Sequence, residues 1–250
     1  MVSTSRDPAR IAGMFDQIAQ RYDTLNRLIS LGMDKGWRAR AVHELALTGS
    51  DRVLDMCTGT ADFAVEAATS TTGRARMVVG IDFAGEMLRM GLAKIRKAGL
   101  GAQIHLVRGD ATNVPLPDQS MDAAMVGFGI RNVVDRDRAI REFVRVLKPG
   151  GRLAVLEPGA PRIPGIQTLH IWYLRYLLPF VGRLLSQHGE AYAYLPASVE
   201  QFPSPEVFAT LLTQNGFASV RTVPLTFGIV YLYVATTAGP HETAGPRTRK

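Results

Sequence analysis

Between residues 52 and 157 the chain alternates short apolar runs with longer stretches in which apolar residues return every three or four positions. The short runs at 52–56, 77–82, 103–108, 121–127 and 152–157 predict strands, and the periodic stretches from Asp62, at 85–98 and at 136–147 predict helices. The last helix stops at Lys148-Pro149-Gly150-Gly151. Strands separated by helices imply a parallel sheet with right-handed crossovers. Upstream, residues 7–31 predict an amphipathic helix opened by Asp7-Pro8, with Phe15, Ile18, Ala19, Tyr22, Leu25 and Ile29 on one face. Tyr22 and Asn26, four apart, share that helix's surface. A second helix, 35–47, ends before Thr48-Gly49-Ser50. Downstream, a helix at 204–215 and strands at 219–225 and 229–235 bring the strands to seven.

Residues 158–203 break this rhythm. Pro158-Gly159-Ala160-Pro161 and Ile163-Pro164-Gly165 read as a loop, followed by a helix at 169–185 that is apolar almost all round. Arg175, Pro179 and Arg183 interrupt it, and it is too short to span a bilayer. A helix of this kind is buried, lines an apolar pocket or touches a membrane. A buried lid is the preferred reading, and it coexists with peripheral membrane contact if the substrate is a lipid. The expected organisation is one α/β domain over 1–238, with N-terminal helices at 7–47, a lid insertion at 158–203 and a disordered tail at 239–250.

Composition narrows the partners. With 250 residues, 46% of them apolar, the chain can bury one substantial core. The net charge of +7 is spread over the N-terminal arginines, 89–97, 136–145 and the 247–250 tail, alternating with acids and without an aromatic-interleaved stripe. That pattern describes a solvated surface and no nucleic-acid site, while leaving mild attraction to an anionic membrane open. The single cysteine, Cys57, excludes an internal disulfide and a cysteine-cluster metal site, so no metal is expected. Met1 to Arg10 carries no apolar core of a signal peptide, and a cytoplasmic chain is expected, with contact at the inner face of the membrane left open. Homodimerisation is also left open.

The chemistry gathers in Val53-Leu54-Asp55-Met56-Cys57-Thr58-Gly59-Thr60-Ala61-Asp62 and in Val78-Val79-Gly80-Ile81-Asp82, two apolar runs that each end in an acid. This is the layout of a nucleoside-binding strand-helix-strand unit, in which the second acid accepts the ribose hydroxyls. The turn has only Gly59 at its core, and it lacks the three glycines that let a helix N-terminus meet a pyrophosphate. Asp55 would repel a pyrophosphate but suits the cationic groups of S-adenosylmethionine, so that cofactor is preferred over a dinucleotide. Asp55, Asp82, Asp110 and Gly127 all fall at the carboxyl ends of predicted strands, where such sheets bind ligands.

Two further stretches carry a resemblance. Phe15-Asp16-Gln17-Ile18-Ala19-Gln20-Arg21-Tyr22-Asp23-Thr24-Leu25-Asn26, with Ser30, Gly32 and Trp37-Arg38, and Gly127-Phe128-Gly129-Ile130-Arg131-Asn132-Val133 resemble the signatures of the UbiE/MenG-type C-methyltransferases of ubiquinone and menaquinone biosynthesis. The likeness runs over about residues 14–235. It implies the class I methyltransferase fold, a Rossmann-like, mostly parallel seven-stranded sheet with helices on both faces, an N-terminal helical cap and a helical lid. It implies S-adenosylmethionine contacts from Thr60 in the turn, beside the Gly59 already expected there, Asp82 on the ribose, Met87 on the adenine face and Asp110-Ala111 beside the adenine. The implied substrate is a prenylated quinol, demethylmenaquinol or a ubiquinone-pathway benzoquinol. The chain departs from the wider pattern at Cys57 and Ala61, where glycine is usual, at Gly127, where serine is common, and at Asp110, where asparagine is frequent. In the lid, Tyr192-Ala193-Tyr194-Leu195 matches the family, whereas Glu157-Pro158-Gly159 differs from its usual Glu-Phe-Ser.

Ring C-methylation needs a phenolate-like ring held in line with a methyl donor. Arg131 cannot be a base, because a guanidinium stays protonated. The expectation is that Arg131 stabilises the phenolate or orients a water, with Tyr22 and Asn132 fixing the ring. A structural salt bridge is the competing reading for Arg131. A methyltransferase of a small aromatic or polyketide, and a regulatory protein with a vestigial cofactor fold, are the alternatives to the quinol enzyme.

Overall fold

The computed structural model describes residues 8–161, 163–173 and 197–239. Two helices, α1 (Pro8–Ile29) and α2 (Asp34–Glu44), precede β1 (Arg52–Met56), α3 (Asp62–Thr69), β2 (Met77–Asp82), α4 (Gly85–Lys97), β3 (Ile104–Arg108) and β4 (Met121–Gly127). A 3-10 turn, Ile130–Asn132, leads to α5 (Arg136–Val146), β5 (Leu147–Pro158) and α6 (Pro164–Trp172). The described chain closes with α7 (Pro205–Gln214), β6 (Phe217–Leu225) and β7 (Val230–Thr237).

The seven strands form one sheet in the order β3-β2-β1-β4-β5-β7-β6. Neighbouring strands from β3 to β5 pair in parallel, and β7 runs antiparallel between β5 and β6. Strands buried on both faces read as continuous apolar runs. Accordingly Leu54, Met56, Val79 and Ile81 point into one layer, which α5 and α7 cover, while Val53, Val78, Ala123 and Met125 point into the other, under α2 and α3. The helices obey their own period. Ala139, Ile140, Phe143 and Val146 make the buried stripe of α5, and Asp135 caps it by accepting the Arg138 amide at 2.9 Å.

Two boundaries differ most from the sequence reading, each by five residues, while α2 ends three residues early at Glu44, β6 starts two early at Phe217 and β7 runs two further to Thr237. β5 starts at Leu147, five residues early, because Leu147 already pairs with Met121 before the chain turns at Gly150 (φ 73°) and resumes pairing at Arg152. The apolar helix begins at Pro164 rather than 169, proline suiting a first turn whose amides have no intrahelical partner. Residues 174–185 of that stretch, Tyr192-Ala193-Tyr194-Leu195 and the tail beyond Gly239 lie outside the described residues. Among the described residues no helix is long and apolar enough to cross a membrane.

Candidate active site

A cleft opens at the carboxyl ends of β1, β2 and β4, with β3 leading into one wall and α1 lying across it. Its floor is the turn after β1. Cys57, Gly59 and Ala61 alternate in the left-handed region at φ 54°, 54° and 65°. The curl brings the Gly59 amide to Asp82 Oδ2 at 2.9 Å and the Thr58 amide to the Ile81 carbonyl at 3.0 Å. Two of these three positions are not glycine, so the turn carries strain on the order of 1–2 kcal/mol at each. The loop after β4 presses close against it. A Cβ on Gly129 would sit 2.3 Å from that of Cys57, so residue 129 must be glycine.

Of the residues singled out from sequence, Tyr22, Gly59, Asp82, Met87, Asp110, Ala111, Gly127 and Asn132 line this cleft together. Asp55, Thr60 and Arg131 stand behind its surface. Thr60 donates to Asp23 Oδ1 at 2.5 Å and accepts from Lys94 Nζ at 3.1 Å. Lys94 in turn pairs with Asp23 at 2.7 Å and with Asp62. Thr60 is therefore a clasp between α1 and the turn. Arg131 is buried, and its Nη1 bonds Glu157 Oε2 at 3.1 Å and the Phe128 carbonyl. Its Nε reaches Ser198 Oγ at 3.4 Å, and its amide donates to Glu157 Oε1 at 3.2 Å. Arg131 is thus held in a salt bridge behind the cleft rather than in its lining.

Sequence reasoning gave no site role to Phe15, Phe83, Phe128 or Asp135, all of which face the cleft. Phe15 had a legible signal, since it lies seven residues, or two helical turns, before Tyr22; their rings meet edge to face at 6.1 Å. The other three sit on strand-end loops, where no period marks the inward residue.

The electrostatics separate the acids by role. Asp82 lines the cleft, its Oδ1 accepting the Ala84 amide at 2.9 Å; burial raises its pKa even though three backbone amides pull it down. Each of its oxygens keeps acceptor capacity for a ligand hydroxyl. Asp55 is buried; Oδ2 accepts from Thr58 Oγ1 at 2.5 Å, while Oδ1 has no hydrogen-bond partner among the described residues. Burial pushes its pKa up to about 7. Burial likewise raises the Tyr22 pKa, against the pull of the Asn26 hydrogen bond and the Arg131 charge, so the phenol stays protonated. Cys57 is pushed well above the ordinary thiol range by burial and by Asp82, Glu157, Asp55 and Asp110, which makes it a neutral wall and no nucleophile.

Asp55 supplies a test of its own. Its folded pKa lies above the unfolded value of about 4, so its contribution to stability is complete below that value and is lost as pH rises through about 7. Asp55→Asn should therefore gain stability over wild type between pH 5 and pH 8, by between about 2 and 3 kcal/mol, almost two units at ~1.4 kcal/mol each. Chemical denaturation at the two pH values measures it, and a pH-independent difference would show that Asp55 is ionised throughout.

These residues suit a nucleoside with a cationic side chain. The Asp82 carboxylate fits ribose hydroxyls, Met87 and Ala111 offer apolar contact for a base, and Asp55, with a pKa of about 7, puts a partly ionised carboxyl under the turn at neutral pH. Among the described residues that line the cleft there is no lysine or arginine to meet a pyrophosphate.

Solved structures share the fold. A putative S-adenosyl-L-methionine-dependent methyltransferase from Methanococcus maripaludis superposes with a TM-score of 0.64 at 17% identity, over 89% of this chain and 93% of its own. The [4+2]-cyclase SpnF gives 0.66 at 17% identity, over 92% and 95%. One fold thus hosts different chemistries, and sequence relatives discriminate further. The ubiquinone/menaquinone biosynthesis C-methyltransferase UbiE of Geobacter sp. strain M21 is 44% identical over 94% of this chain and all of its own length. The demethylmenaquinone methyltransferase of Bacteroides fragilis is 40% identical over 91% and 92%. The profile of the ubiE/COQ5 methyltransferase family matches residues 3–237, and the chain belongs to that family.

Proposed function

We propose that this chain methylates a ring carbon of a prenylated quinol, using S-adenosylmethionine held by Gly59, Asp82, Met87, Asp110 and Ala111, with Tyr22 and Asn132 fixing the ring. The reading rests on one arrangement: the Asp82 carboxylate and the Tyr22 phenol open onto the same cleft, whose other walls are largely apolar. The names of the curated relatives support it.

When bound, S-adenosylmethionine supplies an electrophilic methyl group on a sulfonium. The chain's own residues do the rest. Asp82 binds and orients the cofactor's ribose. Tyr22, protonated and hydrogen-bonded to Asn26, offers its hydroxyl to a ring oxygen, and Asn132 faces the same space. Arg131 acts through its field rather than by contact, because its charge is felt at the Tyr22 oxygen and there favours an anionic ring. Phe15, Phe128 and Met87 exclude water, which strengthens each of these interactions.

The discriminating measurement is transfer of labelled methyl to benzo- and naphthoquinols carrying zero to four isoprene units. Each methylene covered by the protein should add up to ~0.8 kcal/mol. Catalytic efficiency is expected to rise over the first one or two units and then level off. Highest efficiency on the unprenylated ring would overturn the quinol reading in favour of a small-aromatic methyltransferase.

A further inference from the structure

The two most exposed large apolar side chains among the described residues are Leu31, 74% exposed, and Phe227, 66% exposed. Both have left-handed backbones, at φ 52° and 60°, and Thr226 beside Phe227 does too, at φ 46°. Glycine or asparagine would suit each position better on both counts, since a branched or bulky side chain is strained there and an apolar one gains nothing in water. Strain held at an exposed apolar residue points to a surface that is covered in use.

The two residues sit on adjoining segments. Thr226 Oγ1 accepts from Trp37 Nε1 at 2.8 Å and lies 4.0 Å from Met33 Sδ, two residues beyond Leu31. The same edge continues at the end of α6, where Tyr173, the residue after the helix, donates to the Ile29 carbonyl at 2.8 Å and the last helical residue, Trp172, is half exposed. Leu28, on the last full turn of α1, is exposed as well. Arg27 and Lys35 flank Leu31 in the chain, both exposed. The edge also adjoins the cleft: the Trp37 ring packs on Phe128, a cleft wall, with centroids 6.1 Å apart.

We infer that this edge, built on Leu28, Leu31, Trp172 and Phe227 with Arg27 and Lys35 beside it, is the surface by which the protein docks on an anionic lipid bilayer. Apolar side chains that project from a rigid frame next to basic ones match the acyl boundary and the phosphate layer of such a bilayer. A purely apolar protein partner would leave the two cations without a counterpart. The inference deepens the quinol reading, because an edge that reaches Phe128 through Trp37 brings the bilayer beside a wall of the cleft.

Sedimentation of the full chain with vesicles of neutral phosphatidylcholine, or of phosphatidylcholine with phosphatidylglycerol, tests it. Binding should be stronger with the anionic lipid, and Arg27→Gln with Lys35→Gln should weaken it by about fivefold per residue at low salt. The key variant is Leu31→Asn with Phe227→Asn, which relieves both left-handed positions. It should melt at or above the wild-type temperature and bind S-adenosylmethionine normally, yet lose vesicle binding by about tenfold or more. Vesicle binding of that variant equal to wild type overturns the inference, as does absence of wild-type binding to anionic vesicles. A wild-type dimer that the variant turns into a monomer, without vesicle binding, assigns the edge to a second copy instead. Methyl transfer to a quinol with one isoprene unit in detergent is measured in parallel. Activity there without vesicle binding sinks only the docking surface, and vesicle binding without activity sinks only the quinol reading.

Discussion

Asp82→Ala should weaken S-adenosylmethionine binding by more than about a hundredfold, on the order of 3 kcal/mol, because the substitution removes two kinds of hydrogen bond at once. In the proposed site the carboxylate accepts from the ribose, and in the fold it clamps the Gly59 and Ala84 amides. The first of those amides belongs to a turn that holds Cys57 and Ala61 in left-handed conformations, so an unclamped turn has every reason to relax. Loss of the ligand contacts and loss of the preformed turn then add in the same direction. Asp82→Asn should fall between wild type and Asp82→Ala, since its amide oxygen still accepts one backbone N–H while its NH₂ faces the other donor. Affinity in the wild type should also decline as pH drops and the carboxylate, whose pKa burial raises, takes up a proton. Isothermal titration with a thermal melt of each variant reads both effects. Unchanged affinity in folded Asp82→Ala would remove this residue from the cofactor site.

The contrast between Asp82 and Thr60 shows where sequence reading succeeds. The alternation of apolar runs and helical periods placed every strand from β1 to β4 within a residue of its observed bounds, and strand ends locate a ligand cleft without further information. The place of Asp82 in the cleft lining was thus legible from position alone. Thr60 was legible only by analogy, and its hydroxyl turns to Asp23 and Lys94, residues 37 and 34 positions away. Nothing in a linear pattern announces such a pairing, because it depends on how α1 crosses α4. The insertion of β7 between β5 and β6 was hidden for a similar reason: antiparallel order at a sheet edge leaves no periodic trace. Ala61 and Cys57 are the opposite case. Their departure from glycine was visible at once, and the structure shows what it entails, a turn kept in shape by its neighbours rather than by its own backbone preference.

The Arg131–Glu157 pair should show the largest stability effects in the molecule, and unequal ones. Glu157 is fully buried, and removing one partner of a buried pair leaves a charge without compensation, typically at 3–5 kcal/mol. Arg131 cannot shed its charge, so Glu157→Gln should destabilise by about 3 kcal/mol or more at every pH from 5 to 9. Glu157 can take up a proton, and its pKa is raised by burial even with Arg131 beside it. In Arg131→Met the folded pKa should stand higher still, well above the unfolded value of about 4.3. That variant's stability should therefore be greatest in acid and be lost as pH rises through the folded pKa, so that it recovers at pH 5 relative to pH 8. The double variant Arg131→Met with Glu157→Leu replaces the pair by apolar groups and should regain most of the loss. Activity then separates scaffold from chemistry. Arg131 holds the carbonyl of Phe128, a left-handed cleft residue, and its charge reaches Tyr22. The refolded double variant should keep cofactor affinity near wild type while turnover drops by about tenfold or more, the scale of a lost electrostatic contribution. Wild-type turnover in the double variant would mean that the pair serves the fold alone and that Tyr22 and Asn132 suffice at the ring.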